Sequence, residues 1–145
     1  MDTLLERLRA RGIRLTAQRR VVAQVLEGDN VHLTADEIHD RARLELPEIS
    51  RATVYNSLHD FVNLGEVGEV NHGRAVRFDP NAHVRHHHFI CDDCDRVFDV
   101  GVDGADRLSV AGLDGTSFDP ATVEMIFSGT CGRSDCSAAR ADAPA

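Results

Sequence analysis

The residues best equipped for chemistry in this chain are four cysteines in two close pairs, Cys91-x2-Cys94 and Cys131-x4-Cys136. Each pair lets one short loop deliver two thiolates. Four thiolates close a tetrahedron around Zn2+ and leave no position for a substrate. The competing reading is two redox dithiols or unpaired buried thiols. Pair spacing, together with a cytosolic setting in which disulfides are rare, favours zinc in an architectural role. The x4 loop is the looser of the two.

A second constellation lies just upstream. His83, His86, His87 and His88 crowd the segment before Cys91. In a strand over residues 85–91, His86 and His88 project from one face, and His87 and Cys91 from the other. The His86/His88 pair is therefore expected to serve a metal site separate from the four thiolates. Asp99 on the following strand and Asp79 at a domain boundary are the candidate carboxylates. His32, in the loop before the third helix, is the remaining candidate imidazole. Imidazoles and carboxylates together have intermediate hardness, which suits Fe2+ or Mn2+ and also accepts Zn2+, Ni2+ or Co2+. Spacing alone leaves a solvated histidine patch as an equal alternative. His39 and His59 read as helix-surface residues and His72 as solvent-facing in a turn. His83 and His87 stay open as outer or alternative ligands.

The elements that must position these residues fall into two groups, and the fold class is α+β. Leu4, Leu5 and Leu8 before Gly12 predict a short amphipathic helix. Thr16 caps a second helix carrying Val21, Val22, Val25 and Leu26, which Gly28-Asp29-Asn30 ends. Thr34-Ala-Asp-Glu37 is a capping box opening a third helix, closed before Pro47. Ser50 caps a fourth, stopped by Gly65. Glu66–Asn71 and Arg74–Asp79 read as two strands joined by a turn at Asn71-His72-Gly73. Asp79-Pro80-Asn81-Ala82 breaks the pattern, so residues 1–82 and 83–145 are the expected domains. In the second, Arg85–Cys91, Arg96–Val100 and Thr122–Ser128 read as strands, with a helix around Asp103–Ala111. The Ala-rich tail after Cys136 reads as frayed.

Charge divides the same way. The chain has 145 residues and a net charge of −8, yet residues 1–20 hold six arginines against two acids, whereas residues 83–145 hold five against eleven. A basic patch at one end suits phosphate binding, and an acidic remainder limits non-specific adhesion. All sixteen basic residues are arginine, which we read as compositional bias. No apolar run reaches the length of a membrane span or forms a signal region, so a cytoplasmic protein is expected. The modest aliphatic core available to two small domains would benefit from a metal staple.

These residues resemble the ferric uptake regulator (Fur) family over nearly the whole chain. The matching segments are Arg11-Gly-Ile-Arg-Leu-Thr-Ala-Gln-Arg19, His32-Leu-Thr-Ala-Asp36, Ser50-Arg-Ala-Thr-Val-Tyr-Asn-Ser-Leu58, Leu64-Gly-Glu-Val67, Arg77-Phe-Asp79, His86-His-His-Phe-Ile-Cys-Asp-Asp-Cys94 and the Cys131/Cys136 pair. The resemblance implies an N-terminal winged-helix DNA-binding domain and a small C-terminal α/β dimerisation domain with structural zinc. It implies a metal-dependent repressor that binds palindromic double-stranded DNA as a homodimer. The implied regulatory ligands are His32, Asp79, His86, His88 and Asp99, and the implied zinc ligands Cys91, Cys94, Cys131 and Cys136. The implied recognition helix is Arg51–Leu64. The DNA-contacting candidates are Arg14, Arg19, Arg51, Thr53, Tyr55 and Asn56, with Arg14 toward the minor groove and Arg19 on phosphate.

Asp99 stands where peroxide-sensing members resembling this chain carry aspartate and iron-sensing members commonly carry glutamate. A peroxide sensor using Fe2+ or Mn2+ is therefore expected, with an iron-, nickel- or zinc-responsive uptake regulator as the alternative. Two departures from the family pattern stand out: no histidine follows His88, and the second cysteine pair has x4 where x2 is commoner. The rival class is a mononuclear metal enzyme built on His86, His88 and a carboxylate. It would require an open coordination position, a cleft and a general base. No nucleophile elbow, phosphate loop or further acid–base motif accompanies those residues, so a regulator rather than an enzyme is expected.

Overall fold

The computed structural model describes residues 2–109, 111–112 and 123–136, and the chain divides into two compact units between Arg85 and His86. Among the described residues no helix is long and apolar enough to cross a membrane.

The N-terminal unit holds α1 (Leu4–Ala10), α2 (Ala17–Val25), β1 (Leu33–Thr34), α3 (Ala35–Glu45), α4 (Arg51–Asn63), β2 (Gly68–Val70) and β3 (Arg77–Asp79). Each helix begins at a hydroxyl that accepts an otherwise orphaned backbone N–H: Thr3, Thr16, Thr34 and Ser50. Thr3/Glu6 and Thr34/Glu37 form full capping boxes. α3 stops at Leu46, which Pro47 forces out of helical conformation (φ −134°, ψ 82°). α1 and α4 both end in a left-handed glycine, Gly12 at φ +78° and Gly65 at φ +74°. In each case the amide beyond the glycine reaches back, Ile13 to Leu8 and Glu66 to Phe61, and so satisfies the last carbonyls. Leu4, Leu8, Val22, Leu26, Ile38, Val54, Leu58 and Phe61 build one continuous core.

Two features of this unit differ from expectation. The hairpin is not closed at Asn71-His72-Gly73. Val70 pairs with Arg77 and Gly68 with Asp79, so residues 71–76 form a longer wing loop. The sheet also has a strand that the sequence did not predict. β1 lies on the other side of β3, in the order β1-β3-β2, and sets Leu33 opposite Phe78. Phe78 and Val70 are buried, and Val76 is exposed. His39 is the second difference. It is buried, not on the helix surface, and its Nε2–H donates to the Ile49 carbonyl at 2.9 Å, tying α3 to the turn before α4.

The C-terminal unit is a three-stranded sheet of β4 (His87–Cys91), β5 (Val97–Val100) and β6 (Ile126–Gly129), in the order β5-β4-β6. β5 runs antiparallel and β6 parallel to β4. The helix expected around Asp103–Ala111 is only a 3-10 turn over Ala105–Arg107, entered through Gly104. Val110, Thr122 and the tail after Cys136 lie outside the described residues. Among the described residues, the buried hydrophobic and thiol side chains of this unit are Ile90, Cys91, Val97 and Cys136. Half of that small core is therefore cysteine.

Candidate metal centres and nucleic-acid interface

The turn after β4 creates the first centre. Cys91 ends the strand, Asp95 takes a left-handed conformation (φ 59°), and its amide donates to the Cys91 carbonyl at 2.9 Å. The Cys91 amide donates to the Arg96 carbonyl at 3.0 Å, starting the β4–β5 ladder. This folds Cys94 back so that its N–H points at Cys91 Sγ (3.5 Å), and the Cys131 amide approaches the same sulfur (3.4 Å). The sulfurs of Cys91 and Cys136 are 3.8 Å apart, those of Cys94 and Cys131 3.9 Å, and all four lie within 4.8 Å of one another. None is in a disulfide. Zinc–sulfur bonds of about 2.3 Å in a regular tetrahedron require sulfur–sulfur edges of about 3.8 Å. The four side chains therefore fit a tetrahedral thiolate-bound ion.

Electrostatics favours a thiolate at Cys91. Burial alone pushes the Cys91 thiol up, but the N–H groups of Cys94, Cys131 and Asp93 outweigh it and bring it down to about 6 from an ordinary 9.0. Arg96 secures the x4 loop, donating to Asp135 Oδ2 at 2.8 Å and to the Asp135 carbonyl at 2.6 Å. Asp135, beside Arg96 and then Arg133, is held down at about 2. In turn Asp135 and then Cys94 keep the Arg96 guanidinium more firmly protonated. Arg96 and Asp135 compensate for the longer second loop, and neither stands out by spacing.

The second candidate set has members in each unit. In the N-terminal unit, His32 at the entrance to β1 and Asp79 at the end of β3 are both buried, with His32 Nε2 3.8 Å from Asp79 Oδ2. The Arg77 guanidinium fixes the His32 carbonyl at 3.1 Å and anchors on Glu37 at 3.0 Å. In the C-terminal unit, strand alternation and pairing bring three groups together. His88 sits directly opposite Asp99 across the β4–β5 ladder. His86 and His88 meet edge to face, their Nε2 atoms 3.0 Å apart. Asp99 Oδ1 is 3.3 Å from His86 Nε2 and 3.6 Å from His88 Nε2. His87 points elsewhere: it is buried, and its Nδ1 accepts the Met125 N–H at 3.0 Å. His83 is exposed. Glu124 was not among the expected residues. Its Oε1 lies 2.9 Å from His88 Nδ1.

The DNA candidates lie on the outer side of the N-terminal unit. α4 buries Val54, Ser57, Leu58 and Phe61 and exposes Arg51, Ala52, Tyr55, Asn56 and His59. Tyr55 is 54% exposed. Arg14 is exposed, and Arg19 donates to the Arg14 carbonyl at 2.9 Å and to Asp60. Arg51 pairs with Asp36 at the start of α3. Thr53 is half-buried, and its hydroxyl joins the Ser50 cap at 2.9 Å.

Comparisons with known proteins bear on the family and the fold. The model of the ferric uptake regulator family matches residues 10–128. A peroxide-responsive repressor, PerR, of Staphylococcus aureus is 34% identical over 132 residues, covering 90% of this chain and 88% of the relative. The PerR of Staphylococcus epidermidis is likewise 34% identical, over 90% of this chain and 87% of the relative. Among solved structures, a zinc-bound manganese uptake regulator superposes with a TM-score of 0.69 at 25% identity, over 88% of this chain and 98% of that one. The ferric uptake regulator of Helicobacter pylori shares the fold with a TM-score of 0.73 at 20% identity, over 89% of each chain.

Proposed function

This chain belongs to the ferric uptake regulator family, and from that premise we propose that it is a metal-dependent, peroxide-responsive repressor that binds a palindromic operator as a homodimer. The observation that carries the proposal is the grouping of His86, His88 and Asp99 in a chain one third identical to peroxide-responsive repressors. Its relatives are regulators, and the outer face of α4 has the side chains a recognition helix uses: a cation, an amide and an exposed tyrosine.

In this reading residues 1–82 bind DNA and residues 83–145 dimerise. Cys91, Cys94, Cys131 and Cys136 hold structural Zn2+. His32, Asp79, His86, His88 and Asp99 form the regulatory ligand set for Fe2+ or Mn2+, a donor mixture that also accepts Ni2+ or Zn2+. The ligands are drawn from both domains, so holding one ion with all five selects the dimer shape in which two recognition helices meet successive major-groove faces, about 34–36 Å apart. Iron, when bound, supplies redox chemistry toward hydrogen peroxide. Asp99 and the imidazoles would hold the ion, and an imidazole that took one oxygen from hydrogen peroxide, with water as the other product, would lose its donor geometry. A repressor of this kind works where the chromosome is, in the cytoplasm. A manganese- or iron-responsive uptake regulator is the second reading, favoured by the likeness to the manganese uptake regulator.

The deciding experiment measures operator affinity of zinc-retaining protein with no added metal, with Mn2+ and with Fe2+, each before and after peroxide. Peroxide is expected to abolish binding by the iron form and spare the manganese form. Equal resistance of both forms would replace this function with the uptake-regulator reading.

A further inference from the structure

Three consecutive histidines precede Cys91, and the structure gives each a different task. His88 donates its backbone N–H to the Met125 carbonyl at 3.1 Å, while the Met125 N–H reaches His87 Nδ1 at 3.0 Å. Met125 is thus pinned through both its backbone polar groups to neighbouring residues of β4, at the point where β6 joins in parallel. Glu124, next to it, inherits that fixed position. Its Oε1 lies 2.9 Å from His88 Nδ1.

A carboxylate accepts hydrogen bonds and has no proton to give, so the proton in this contact belongs to His88 Nδ1. A neutral imidazole carries one N–H. His88 Nε2 is then the bare nitrogen, and it is the atom that faces His86 Nε2 (3.0 Å) and Asp99 Oδ1 (3.6 Å). His88 thus presents Nε2 to the site, where His86 Nε2 and Asp99 Oδ1 meet it.

We propose that Glu124 is a positioning residue that presets His88 as an Nε2 donor for the regulatory metal, with His87 as the clamp that holds Glu124 in place. This rests on the regulatory-site reading given above. A carboxylate on the far nitrogen of a ligand histidine fixes its tautomer and ring orientation and raises its basicity, and losing such a partner typically costs about 10–100-fold in metal affinity. The Glu124 side chain is half exposed, which places the expected loss near the lower end, about tenfold.

The test uses full-length, zinc-retaining protein and Mn2+ as the probe. Mn2+ affinity is read by electron paramagnetic resonance, and the imidazole tautomers by long-range 15N–1H correlation before Mn2+ is added. Wild type is expected to show His88 as the Nδ1–H tautomer. Glu124→Ala should lose that signature and bind Mn2+ about tenfold more weakly. Glu124→Gln, whose amide oxygen can still accept the Nδ1 proton, should restore the tautomer and most of the affinity. Unchanged tautomer and affinity in Glu124→Ala, beside a wild type that binds Mn2+, would overturn the role of Glu124 alone. A wild type that took up no Mn2+ would overturn the regulatory site and this proposal with it.

Discussion

Cys91 Sγ stands 3.8 Å from Cys136 Sγ, too far for a disulfide and the right length for one edge of a thiolate tetrahedron around zinc. The contact joins the end of β4 to the far end of the described chain. It also spans a domain whose described apolar core is only a few side chains. Zinc should accordingly hold this unit together rather than decorate it. Purified protein is expected to retain about one Zn2+ per chain through mild chelation. Cys94→Ser should lose zinc and most of the dimer, read by metal analysis and sedimentation. A Cys94→Ser protein that kept zinc, fold and dimer would remove the structural assignment.

The outer face of α4 and the arginines near α2 give separable DNA predictions. Arg19 faces Asp60 on a half-exposed surface, where an ion pair is worth little, so it can exchange that partner for a phosphate. Arg14→Ala and Arg19→Ala should weaken binding to all sequences, and Arg19→Ala should flatten the salt dependence by about one phosphate contact. Arg51→Ala also removes the partner of Asp36. Tyr55→Ala should lower the preference for operator over random DNA more than the Arg14 or Arg19 variants do. Competition gel shifts decide the point, and an unchanged operator preference in Tyr55→Ala would move the recognition surface away from α4.

The parts of this molecule that were legible in the sequence are those governed by local chemistry. Hydroxyl caps at Thr16, Thr34 and Ser50, the stop at Gly65 and the break before Pro47 act within a few residues of themselves. The cysteine pairs are equally local, because each needs only one loop. What was not legible depends on partners distant in sequence. β1, a strand of two residues, shows itself only through its pairing with β3. His39 is buried because a carbonyl ten residues away accepts its proton. Glu124 looks like any surface acid until the parallel pairing of β6 with β4 carries it to His88. Parallel pairing of this kind has no local turn to announce it.

Glu66 offers a pH test independent of metal. Arg11, then Arg7, donate to its carboxylate at 2.8 and 2.9 Å, binding α1 to the segment after α4, and together they hold Glu66 below the ordinary carboxylate range. A depressed carboxylate contributes stability above its unfolded value, about pH 4.3, and loses it as pH falls through the folded value. Glu66→Gln should therefore be less stable than wild type at neutral pH. The gap should close progressively below about pH 4.5. Thermal unfolding of the two proteins between pH 7 and pH 3 measures it; a gap independent of pH would mean the arginines act through packing alone.

His32 is the variant that separates metal binding from its consequence. In the proposed ligand set it and Asp79 belong to the DNA-binding unit, and His32 is seated by Arg77 through its backbone carbonyl, so truncating the ring leaves that seat intact. A hundredfold switch in DNA affinity requires about 2.7 kcal/mol of differential metal binding between the two dimer shapes. His32→Ala should keep fold and zinc and retain basal DNA affinity, but lose most of the gain on adding Mn2+. Full metal activation in this variant would remove His32 from the switch.

Asp99 carries the prediction about the signal itself. It lies across the ladder from His88, with one carboxylate oxygen within 3.6 Å of both His86 Nε2 and His88 Nε2. Glutamate at the same position would carry its carboxylate one methylene further from the strand and so change how it could reach an ion. Asp99→Glu is therefore expected to preserve Mn2+-dependent DNA binding while blunting the loss of binding that peroxide causes in the iron form. Mass spectrometry of the wild-type iron form after brief peroxide exposure should find one added oxygen on His32 or His86, with zinc retained. The competing route is oxidation at Cys91–Cys94 or Cys131–Cys136 with release of zinc, and thiolates already committed to zinc should react more slowly. Disulfides with intact histidines would transfer the sensing role to the zinc centre. Equal peroxide sensitivity in Asp99→Glu would leave histidine oxidation standing and remove Asp99 as its determinant.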